Sequence, residues 1–427
     1  MLKKMSIKYS DLSKDLIWTF SSQVLIMLIV LFVNKLVSSH LGVEGFALYS
    51  IAKKSSTVLV AILAWGMTIA LPRYLSRYRV SNDKRYPTLF PSSLLLFSIL
   101  SAGLFLISFL FPSTMREWIL GGLGDNYILM ITLFYSTSSA LNNLIVAYFR
   151  GKGLYKRSNT VQICTQLSLF IGALFFRDIA PLFLSWSILI LLNCTLFSAK
   201  DFWKDLQKSI VLRGDSSVQA SGKQLLYYGT PRMLSDLIFQ LTSFVPLLIV
   251  LSKFGKTATG LFSTAITLQL MITPLFAFSG QIFLQRVSEM AEKKELKKIR
   301  RLIRWSMIAF LSIASAGFLI ISVGAEFWLQ MLFSKDFIPA SSLTIIVSLS
   351  LIPRSIYLLL RNPLDAISSV PYNLFSLLLW FALYVLLLSF SNTIESSAWS
   401  YTLSSLSLAI TSLIFWIRAL HRSQQKN

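Results

Sequence analysis

The sequence has few of the residues on which most enzyme chemistry depends. Its 427 residues include two histidines, two cysteines and 18 acidic residues. His40 and His421 are too far apart for an HExxH zinc site, and a relay of several histidines cannot be built from two. Cys164 and Cys194 lie in apolar runs, where a thiol behaves as a small hydrophobic group and gives no disulfide framework. A zinc enzyme is therefore disfavoured, and we expect no metal or organic cofactor.

A phosphate-binding loop for ATP is also missing. The segment SGKQ, which ends at Gln224, matches only the glycine and lysine near the end of that motif. Five residues before this glycine the motif requires another glycine, where the chain has Ser217, and after the lysine it requires serine or threonine, where the chain has glutamine. We therefore expect that this chain alone does not consume ATP. Secondary transport, driven by an ion gradient, a potential or a substrate gradient, remains.

Charged residues are too few, and apolar residues too many, for a soluble protein. The hydrophobic share is 55%, the charged share 14% and the mean hydropathy +0.66. Cutting the sequence at every charged residue leaves twelve runs of at least sixteen residues. A spanning helix needs about twenty mostly apolar residues, so we predict an all-α polytopic membrane protein with twelve transmembrane helices. The runs are 16–34, 55–72, 86–115, 126–149, 158–176, 179–199, 237–252, 257–285, 305–325, 337–353, 366–394 and 396–417.

The formal charge of +22 follows this predicted topology. With the N-terminus inside, 31 of the 40 lysines and arginines lie on inner segments and six on outer ones. Positive charge concentrates on the cytoplasmic side of membrane proteins, so we expect both termini in the cytoplasm and membrane lipids, not nucleic acid, as partners. The predicted domains are an N-lobe of helices 1–6 (1–200), a cytoplasmic linker (201–222) and a C-lobe of helices 7–12 (223–427).

One stretch of the chain recurs after 213 positions without a gap. Five of its identical pairs are Gly42 with Gly255, Leu48 with Leu261, Ser50 with Ser263, Leu71 with Leu284, and Arg73 with Arg286. Six helices per half return the chain to the same side of the membrane. The spacing therefore predicts two related halves in the same orientation.

We expect the second helix to run from about 46 to 72 and the seventh to begin with LLYYGTPRMLSD at 225–236, both longer than their charge-free runs. Three basic residues, Lys53, Lys54 and Arg232, therefore fall within predicted spans. A charge in a spanning helix costs roughly 2.5–3.5 kcal/mol on insertion scales and usually faces a water-filled cavity or a partner. Lys54 shares a helical face with Thr57, whereas Lys53 is aligned with Val60, so Lys54 is the better candidate for a polar lumen. Snorkelling of both lysines to the membrane interface is the alternative.

The predicted helices 7 and 1 each carry a polar face. Arg232, Asp236 and Gln240 are spaced at four-residue intervals, and an ion pair one turn apart makes burial of the first two less costly. A purely structural ion pair is the alternative. Gln23 and Asn34 share a face of helix 1 that we predict to point inward.

Two further groups of charges are assigned to the inner membrane surface. Residues 285–305 contain eight basic and three acidic residues with helical periodicity, which predicts a helix lying along the headgroups. Binding of a cytosolic partner there is the alternative. Arg354, Arg361 and Asp365 follow the tenth apolar run, where we expect their side chains to reach the headgroups.

Several motifs resemble those of one transporter family. LGVEGFALY at 41–49, followed by WGMTIALPRY at 65–74, resembles the start of lipid-linked oligosaccharide flippases. These form the O-antigen repeat-unit and polysaccharide exporter branch of the multidrug/oligosaccharidyl-lipid/polysaccharide (MOP) superfamily. The family pattern LG-x-E-x-F-G-L-Y has glycine where this chain has Ala47. AYFRGKG at 147–153 and YYGTPR at 227–232 are similar to family motifs after helix 4 and at the start of helix 7.

The resemblance implies a MATE-like fold of two six-helix lobes around a cavity lined by helices 1, 2, 7 and 8. It implies a flippase of the bacterial cytoplasmic (inner) membrane that moves an undecaprenyl-pyrophosphate-linked oligosaccharide between leaflets by alternating access. The product would be O-antigen lipopolysaccharide, capsule or exopolysaccharide, with a polysaccharide polymerase and a chain-length regulator as candidate partners. The residues predicted to bind this anionic cargo are Gln23, Asn34, Lys53, Lys54, Arg232, Asp236 and Gln240.

Two other functions compete with this interpretation. A drug or small-cation exporter of the same superfamily would need acidic residues in its cavity, where Asp236 is the one candidate. A membrane enzyme, such as a sugar-repeat polymerase or a lipid-linked glycosyltransferase, would need a sizeable outer loop or a cluster of carboxylates. Neither feature is visible in the sequence.

Overall fold

The computed structural model describes residues 9–210, 218–273, 276, 283, 286–287, 290–291, 293–368 and 370–425. Regular structure in these ranges consists of α-helices with two 3-10 turns, Tyr86–Thr88 and Lys335–Ala340. The all-α prediction is therefore confirmed for the described residues. The helices are α1 (Tyr9–Ala64), α2 (Met67–Ser81), α3 (Leu89–Leu110), α4 (Pro112–Leu120), α5 (Asn126–Gly151), α6 (Tyr155–Phe175), α7 (Ile179–Ile210), α8 (Val218–Leu270), α9 (Leu296–Val323), α10 (Ala325–Leu332), α11 (Ser341–Ser348), α12 (Leu351–Ile367), α13 (Tyr372–Ser389) and α14 (Ile394–Gln425).

These helices satisfy their polar groups locally, as a hydrocarbon environment requires. Many serine and threonine hydroxyls donate to a carbonyl one turn back, as Thr132 does to Ile128 (2.8 Å) and Ser136 to Thr132 (2.6 Å). Such hydroxyls need no partner on another helix. At the start of α5 the Asp125 carboxylate accepts from the Ile128 amide (2.8 Å) and caps the helix.

The described helices are those of a membrane protein. Eight of them, or nine if the bent pair Lys335–Ser348 and Leu351–Ile367 is one span, are long and apolar enough to cross a membrane. Many large apolar side chains on them are exposed, among them Phe109, Leu196 and Val323. A soluble surface rarely shows so much apolar area. The prediction of twelve spans is not confirmed by this criterion.

The two longest spans contain breaks. Ser21–Arg79 has 59 residues, about 90 Å if straight and three times the thickness of the hydrocarbon. Gly42 interrupts α1 with φ 63° and ψ −173°, and Gly255 interrupts α8 with φ 79° and ψ −173°. These two glycines are the first pair of the 213-residue repeat, so at this position the backbone has the same conformation in both copies. Leu284, from another pair, lies outside the described residues.

The chain divides into two compact units, of which unit 1 comprises Met1–Leu41 and Ile51–Leu241. One apolar cluster of its core joins α1, α2, α3 and α5 and consists of Leu63, Met67, Phe97, Ala140 and Leu144. The first part of α8 belongs to this unit. Residues 211–217 of the predicted linker lie outside the described residues.

Within unit 1, α8 makes a backbone contact with the junction between α1 and α2. The junction, Trp65–Gly66, has positive φ angles of 42° and 66°. A Cβ on Gly66 would lie 2.9 Å from the Cα and carbonyl carbon of Gly229, and closer to its oxygen. The Trp65 indole Nε1 donates to the Thr230 hydroxyl (3.0 Å). Glycine is therefore needed on both sides of this contact, and the second predicted helix is two helices rather than one.

The AYFRGKG motif holds the end of α5 against α2, also within unit 1. Gly151 packs so closely that a Cβ would lie 2.7 Å from the Pro72 Cα, and the Gly151 carbonyl accepts from Ser76 (3.1 Å). The Arg79 guanidinium donates to the Lys152 carbonyl, beside Gly153 at φ 74°. This motif therefore has a packing role in the structure.

Unit 2 comprises Gly42–Ser50 and Thr242–Asn427. Its core includes a cluster from α9, α12 and α14 that contains Ile299, Ile303, Leu360, Leu364 and Trp416. In this unit residues 42–50 cross the part of α8 that follows Gly255. A Cβ on Gly260 would lie 2.9 Å from Val43 Cγ1, and Thr257 donates to the Glu44 carboxylate (3.0 Å).

Two predicted boundaries in unit 2 are wrong. The ninth predicted span starts at 305, but α9 is one helix from Leu296, so residues 297–304 extend it rather than form a separate surface helix. The tenth predicted span ends at 353, but α12 continues to Ile367 through Arg354 and Arg361. In both cases the helix continues past charged residues at which the apolar run ends.

The close contact in unit 1 predicts a cost for any side chain at Gly229. Gly229→Ala places a methyl group against the Trp65 carbonyl, and overpacking of this kind costs about 1–3 kcal/mol. We expect a lower midpoint of thermal unfolding for the purified protein. Gly222→Ala on the same helix is the matched control, because its nearest neighbours are 3.9 Å and 4.0 Å away and alanine favours helices. Equal midpoints for the two variants would contradict the described contact.

Candidate functional site

Two arginines of unit 1 contact the same tyrosine ring. The Arg73 Cζ on α2 lies 4.4 Å from the centre of the Tyr228 ring on α8, and the Arg232 Cζ lies 3.4 Å from it. Arg73 also donates to the Tyr228 hydroxyl, and Arg232 donates to the Tyr228 carbonyl (2.8 Å) one turn back. We call these three residues the Arg73–Tyr228–Arg232 cluster.

The cluster carries two positive charges in a small space. Both guanidinium carbons lie within 4.4 Å of one ring centre, so they are less than twice that distance apart. Among the residues that the structure describes, neither arginine forms a salt bridge with a carboxylate. A cation–π contact is worth about 0.5–2 kcal/mol but leaves the charge in place. The cluster is therefore suited to bind an anion.

A further cation close to this cluster, Arg85, already has a carboxylate partner. Tyr228 packs edge-on against Tyr74 (5.5 Å between ring centres), and Tyr74 packs against Tyr78 (5.8 Å). Arg85 lies over Tyr78 and forms a salt bridge with Asp83 (2.7 Å). The hydrogen bond from Arg85 holds the pKa of the Asp83 carboxyl below its usual value. Arg85 is thus bound to a carboxylate, in contrast to Arg73 and Arg232.

A largely buried polar network lies between the C-terminal ends of α5 and α7. The Tyr148 hydroxyl donates to Asp205 (2.6 Å), and the Lys152 ammonium donates to the Tyr148 oxygen (2.7 Å) and to Asp201 (3.1 Å). Asp201 also pairs with Arg157 (2.7 Å). Every charge of this network has a partner of opposite sign or a hydrogen bond. We therefore regard it as a structural connection between the helices.

The two lysines of α1 differ in their surroundings. The Lys53 ammonium lies 6.0 Å from the ring centre of Trp186, which is fully buried in unit 1. Lys54 is half-buried, and no salt bridge of its ammonium occurs within the described ranges. Adjacent residues on a helix point about 100° apart, so the two side chains are expected to have different neighbours. The role of Lys54 in binding stays a prediction.

The other predicted residues also lie in unit 1. The Gln23 amide donates to Gln162 (3.2 Å) on α6, so this side chain contacts a neighbouring helix. Asn34 is buried, with 4% of its surface exposed. Asp236 and Gln240 are half-buried on α8, one and two turns after Arg232. All seven predicted residues thus belong to one compact unit, together with Arg73 and Tyr228.

Sequence reasoning identified Arg232 but missed the residues around it. Arg73 was noted only as part of the repeat and of a family-like motif, and YYGTPR only as a motif similar to one of the family. A signal was present in the sequence, because Arg73 belongs to an identical pair of the 213-residue repeat and Tyr228 lies four residues before Arg232.

No group of three histidine, cysteine, aspartate or glutamate side chains able to hold a metal ion occurs among the described residues.

The fold is similar to those of several solved transporters. An inward-facing multidrug resistance MATE family transporter of the MOP superfamily has a TM-score of 0.77 and 14% identity, over 96% of this chain and 99% of that one. The lipid II flippase MurJ in an inward closed conformation has a TM-score of 0.69 and 15% identity, over 95% of this chain and 89% of that one. A MOP superfamily transporter from Pyrococcus furiosus has a TM-score of 0.67 and 14% identity, over 96% of this chain and 94% of that one. The MATE-like fold is therefore confirmed.

Sequence comparison gives the family. No curated protein matches the chain, but the family model described as polysaccharide biosynthesis protein matches residues 12–284, more than half of its length. The family model is described by polysaccharide biosynthesis, and the solved structures with this fold are transporters, in agreement with the prediction of a transporter rather than an enzyme. The chain belongs to the polysaccharide biosynthesis protein family and has the fold of MOP-superfamily membrane transporters.

Proposed function

We propose that the protein is a flippase for an undecaprenyl-pyrophosphate-linked oligosaccharide repeat unit. It would move this lipid from the inner to the outer leaflet of the bacterial cytoplasmic membrane for O-antigen, capsule or exopolysaccharide synthesis. The observation that carries the proposal is the Arg73–Tyr228–Arg232 cluster, two cations on one ring without a carboxylate. Membership of the polysaccharide biosynthesis family supports it.

The chemistry of the cluster fits the charged part of such a cargo. Arginine presents a planar set of donors that matches phosphate oxygens, and charge-assisted hydrogen bonds of this type are the strong ones. Two guanidinium groups held near each other repel, so a pyrophosphate between them gains from both charges. A neutral drug or a small cation would gain nothing from this arrangement. The cluster therefore favours an anionic cargo over the alternatives.

The other predicted residues differ in their roles in this proposal. Lys54, half-buried and without a salt bridge in the described part of the chain, lies 19 residues before Arg73, about 28 Å of helix, so it would contact the pyrophosphate at a different point of its passage from the cluster. The predicted ion pair with Asp236 is not formed in the described structure, where Arg232 makes no salt bridge, so Asp236 is not used as the counter-ion of Arg232. Gln23 and Gln240, both half-buried, would contact sugar hydroxyls, whereas Asn34 is too deeply buried to reach the cargo in this conformation. Lys53 has a smaller role because it lies over Trp186.

The proposed topology places both termini in the cytoplasm. With 31 of 40 basic residues on inner segments, the positive-inside rule favours this orientation. Arg73 and Arg232 then lie toward the inner leaflet, where the lipid-linked repeat unit is made. A polysaccharide polymerase and a chain-length regulator are the candidate partners on the outer side.

Alanine at Arg73, Arg232 or Lys54 is expected to abolish surface polysaccharide while the protein stays in the membrane. Arg73→Lys and Arg232→Lys should retain part of the export, because a positive charge remains without the planar donors. Export is measured as surface polysaccharide in cells that depend on this chain, with the amount of membrane protein determined in parallel. Lys35→Ala and Lys53→Ala should have smaller effects.

The matched control for topology is Arg77→Ala. Arg77 is exposed on α2, one turn from Arg73, so its loss removes the same inner charge without touching the cluster. We expect normal export from this variant. Wild-type export from a double Arg232→Ala, Lys54→Ala variant at normal expression would refute the cationic mechanism.

Binding should depend on the pyrophosphate itself. We expect the purified protein in neutral nanodiscs to bind a polyprenyl pyrophosphate more tightly than the matching polyprenyl monophosphate. Arg73→Ala and Arg232→Ala should each weaken binding about tenfold or more, the loss expected for one hydrogen bond to a charged group. Fluorescence titration measures both constants, and raised salt should weaken binding in the native protein. Equal affinity for the two lipids would contradict the proposal.

A further inference from the structure

Unit 2 contains another arginine whose guanidinium lies near two aromatic rings. Arg354 lies on α12, and its Cζ is 5.0 Å from the ring centre of Trp380 on α13 and 5.4 Å from that of Tyr401 on α14. The sequence predicted that Arg354 reaches the headgroups. Because α12 continues to Ile367, about three and a half turns further, the side chain instead lies among three packed helices of unit 2.

Several hydrogen-bond donors next to Arg354 have no acceptor. They are Arg354 Nη1, Tyr357 Oη, Trp380 Nε1 and Tyr384 Oη, all buried and without a hydrogen-bond partner among the described residues. Tyr357, Trp380 and Tyr384 are 3%, 2% and 0% exposed. The rings adjoin each other, with 6.0 Å between the centres of Trp380 and Tyr384 and 5.4 Å between those of Tyr384 and Tyr401.

The charge of Arg354 also lacks a counter-ion in this part of the molecule. The carboxylate that follows on the same helix, Asp365, is three turns away and accepts from the Asn373 amide (2.7 Å). The Tyr401 hydroxyl donates to the side-chain oxygen of Gln269 (3.2 Å). Within the described residues of unit 2, no salt bridge includes Arg354. The cluster thus has one cation and several donors, and needs an acceptor of negative charge.

We propose that Arg354, Tyr357, Trp380 and Tyr384 bind a small monovalent anion of the halide class, chloride in the cell. Buried donors are nearly always paired in native proteins, and a buried cation needs a compensating charge. A chloride ion accepts from several donors and neutralises the guanidinium, whereas water accepts but brings no charge. Because three of the four side chains are almost fully buried, the ligand is small and enclosed. Arg354 itself is half-buried, which gives the ion access.

This site is separate from the proposed cargo site. All of its residues lie in unit 2, whereas Arg73, Tyr228 and Arg232 lie in unit 1. Halide binding and the binding of a polyprenyl pyrophosphate to the Arg73–Tyr228–Arg232 cluster can therefore be measured independently. Either proposal can fail while the other holds.

The test uses the full chain, purified and placed in nanodiscs of a neutral phospholipid. Thermal unfolding is followed in sodium chloride, sodium bromide and sodium gluconate at one ionic strength. We expect the midpoint to rise with chloride and bromide to a plateau and to stay low in gluconate. Arg354→Gln should remove this dependence. Arg361→Gln, an exposed arginine of the same helix, should keep it.

A second variant keeps the test decisive if Arg354→Gln does not fold. Tyr384→Phe retains the guanidinium and the ring but removes one donor, so halide affinity should fall about tenfold. In gluconate this variant should be as stable as the native protein or more stable, because an unpaired buried hydroxyl is gone. In a crystal soaked with bromide, an anomalous peak is expected beside Arg354. The proposal is overturned by halide-independent unfolding of the native protein, or by bromide bound only elsewhere.

Discussion

The fold depends on the requirement that a backbone without water satisfies its hydrogen bonds internally. Unbroken helices meet this requirement, so each interruption needs a local reason. At Gly42 and Gly255 a single residue with positive φ changes the chain direction and helical bonding resumes at once. At Trp65–Gly66 the interruption is accompanied by a close contact with Gly229. Glycine is used where the helix must end and another backbone must approach.

The excess of basic over acidic residues shapes the electrostatics of the protein. With 40 lysines and arginines and 18 acidic residues, most cations cannot have a carboxylate partner. Aromatic rings take that place for Arg73, Arg232 and Arg354, and also for Lys53. A ring orients and partly stabilises a cation but does not neutralise it. Such sites stay attractive to anions, and the proposed cargo site of unit 1 and the proposed anion site of unit 2 both depend on this property.

The sequence predicted the helical class, the repeat and one residue of the cluster, each from a local signal. Apolar runs mark spanning helices, and the gapless repeat predicted the equivalence of Gly42 and Gly255. Arg232 was identified because a charge stood inside a predicted spanning helix, before its charge-free run. What failed was the rule that a charge ends a span, since α12 continues through Arg354 where rings compensate the charge. Contacts such as Arg73 with Tyr228 join residues 155 positions apart, which no local pattern encodes.

The crossing of residues 42–50 with α8 in unit 2 bears on how such a chain could arise. Glu44 and Thr257 are separated by 213 residues, the repeat length, and they bond to each other. In an isologous dimer the residue nearest the two-fold axis meets its own copy. A half-length ancestor that dimerised through this segment would make the same contact, and gene fusion would preserve it. After fusion the copies could diverge, and alanine at position 47 opposite glycine at the equivalent position 260 is a difference that a symmetric dimer could not have had.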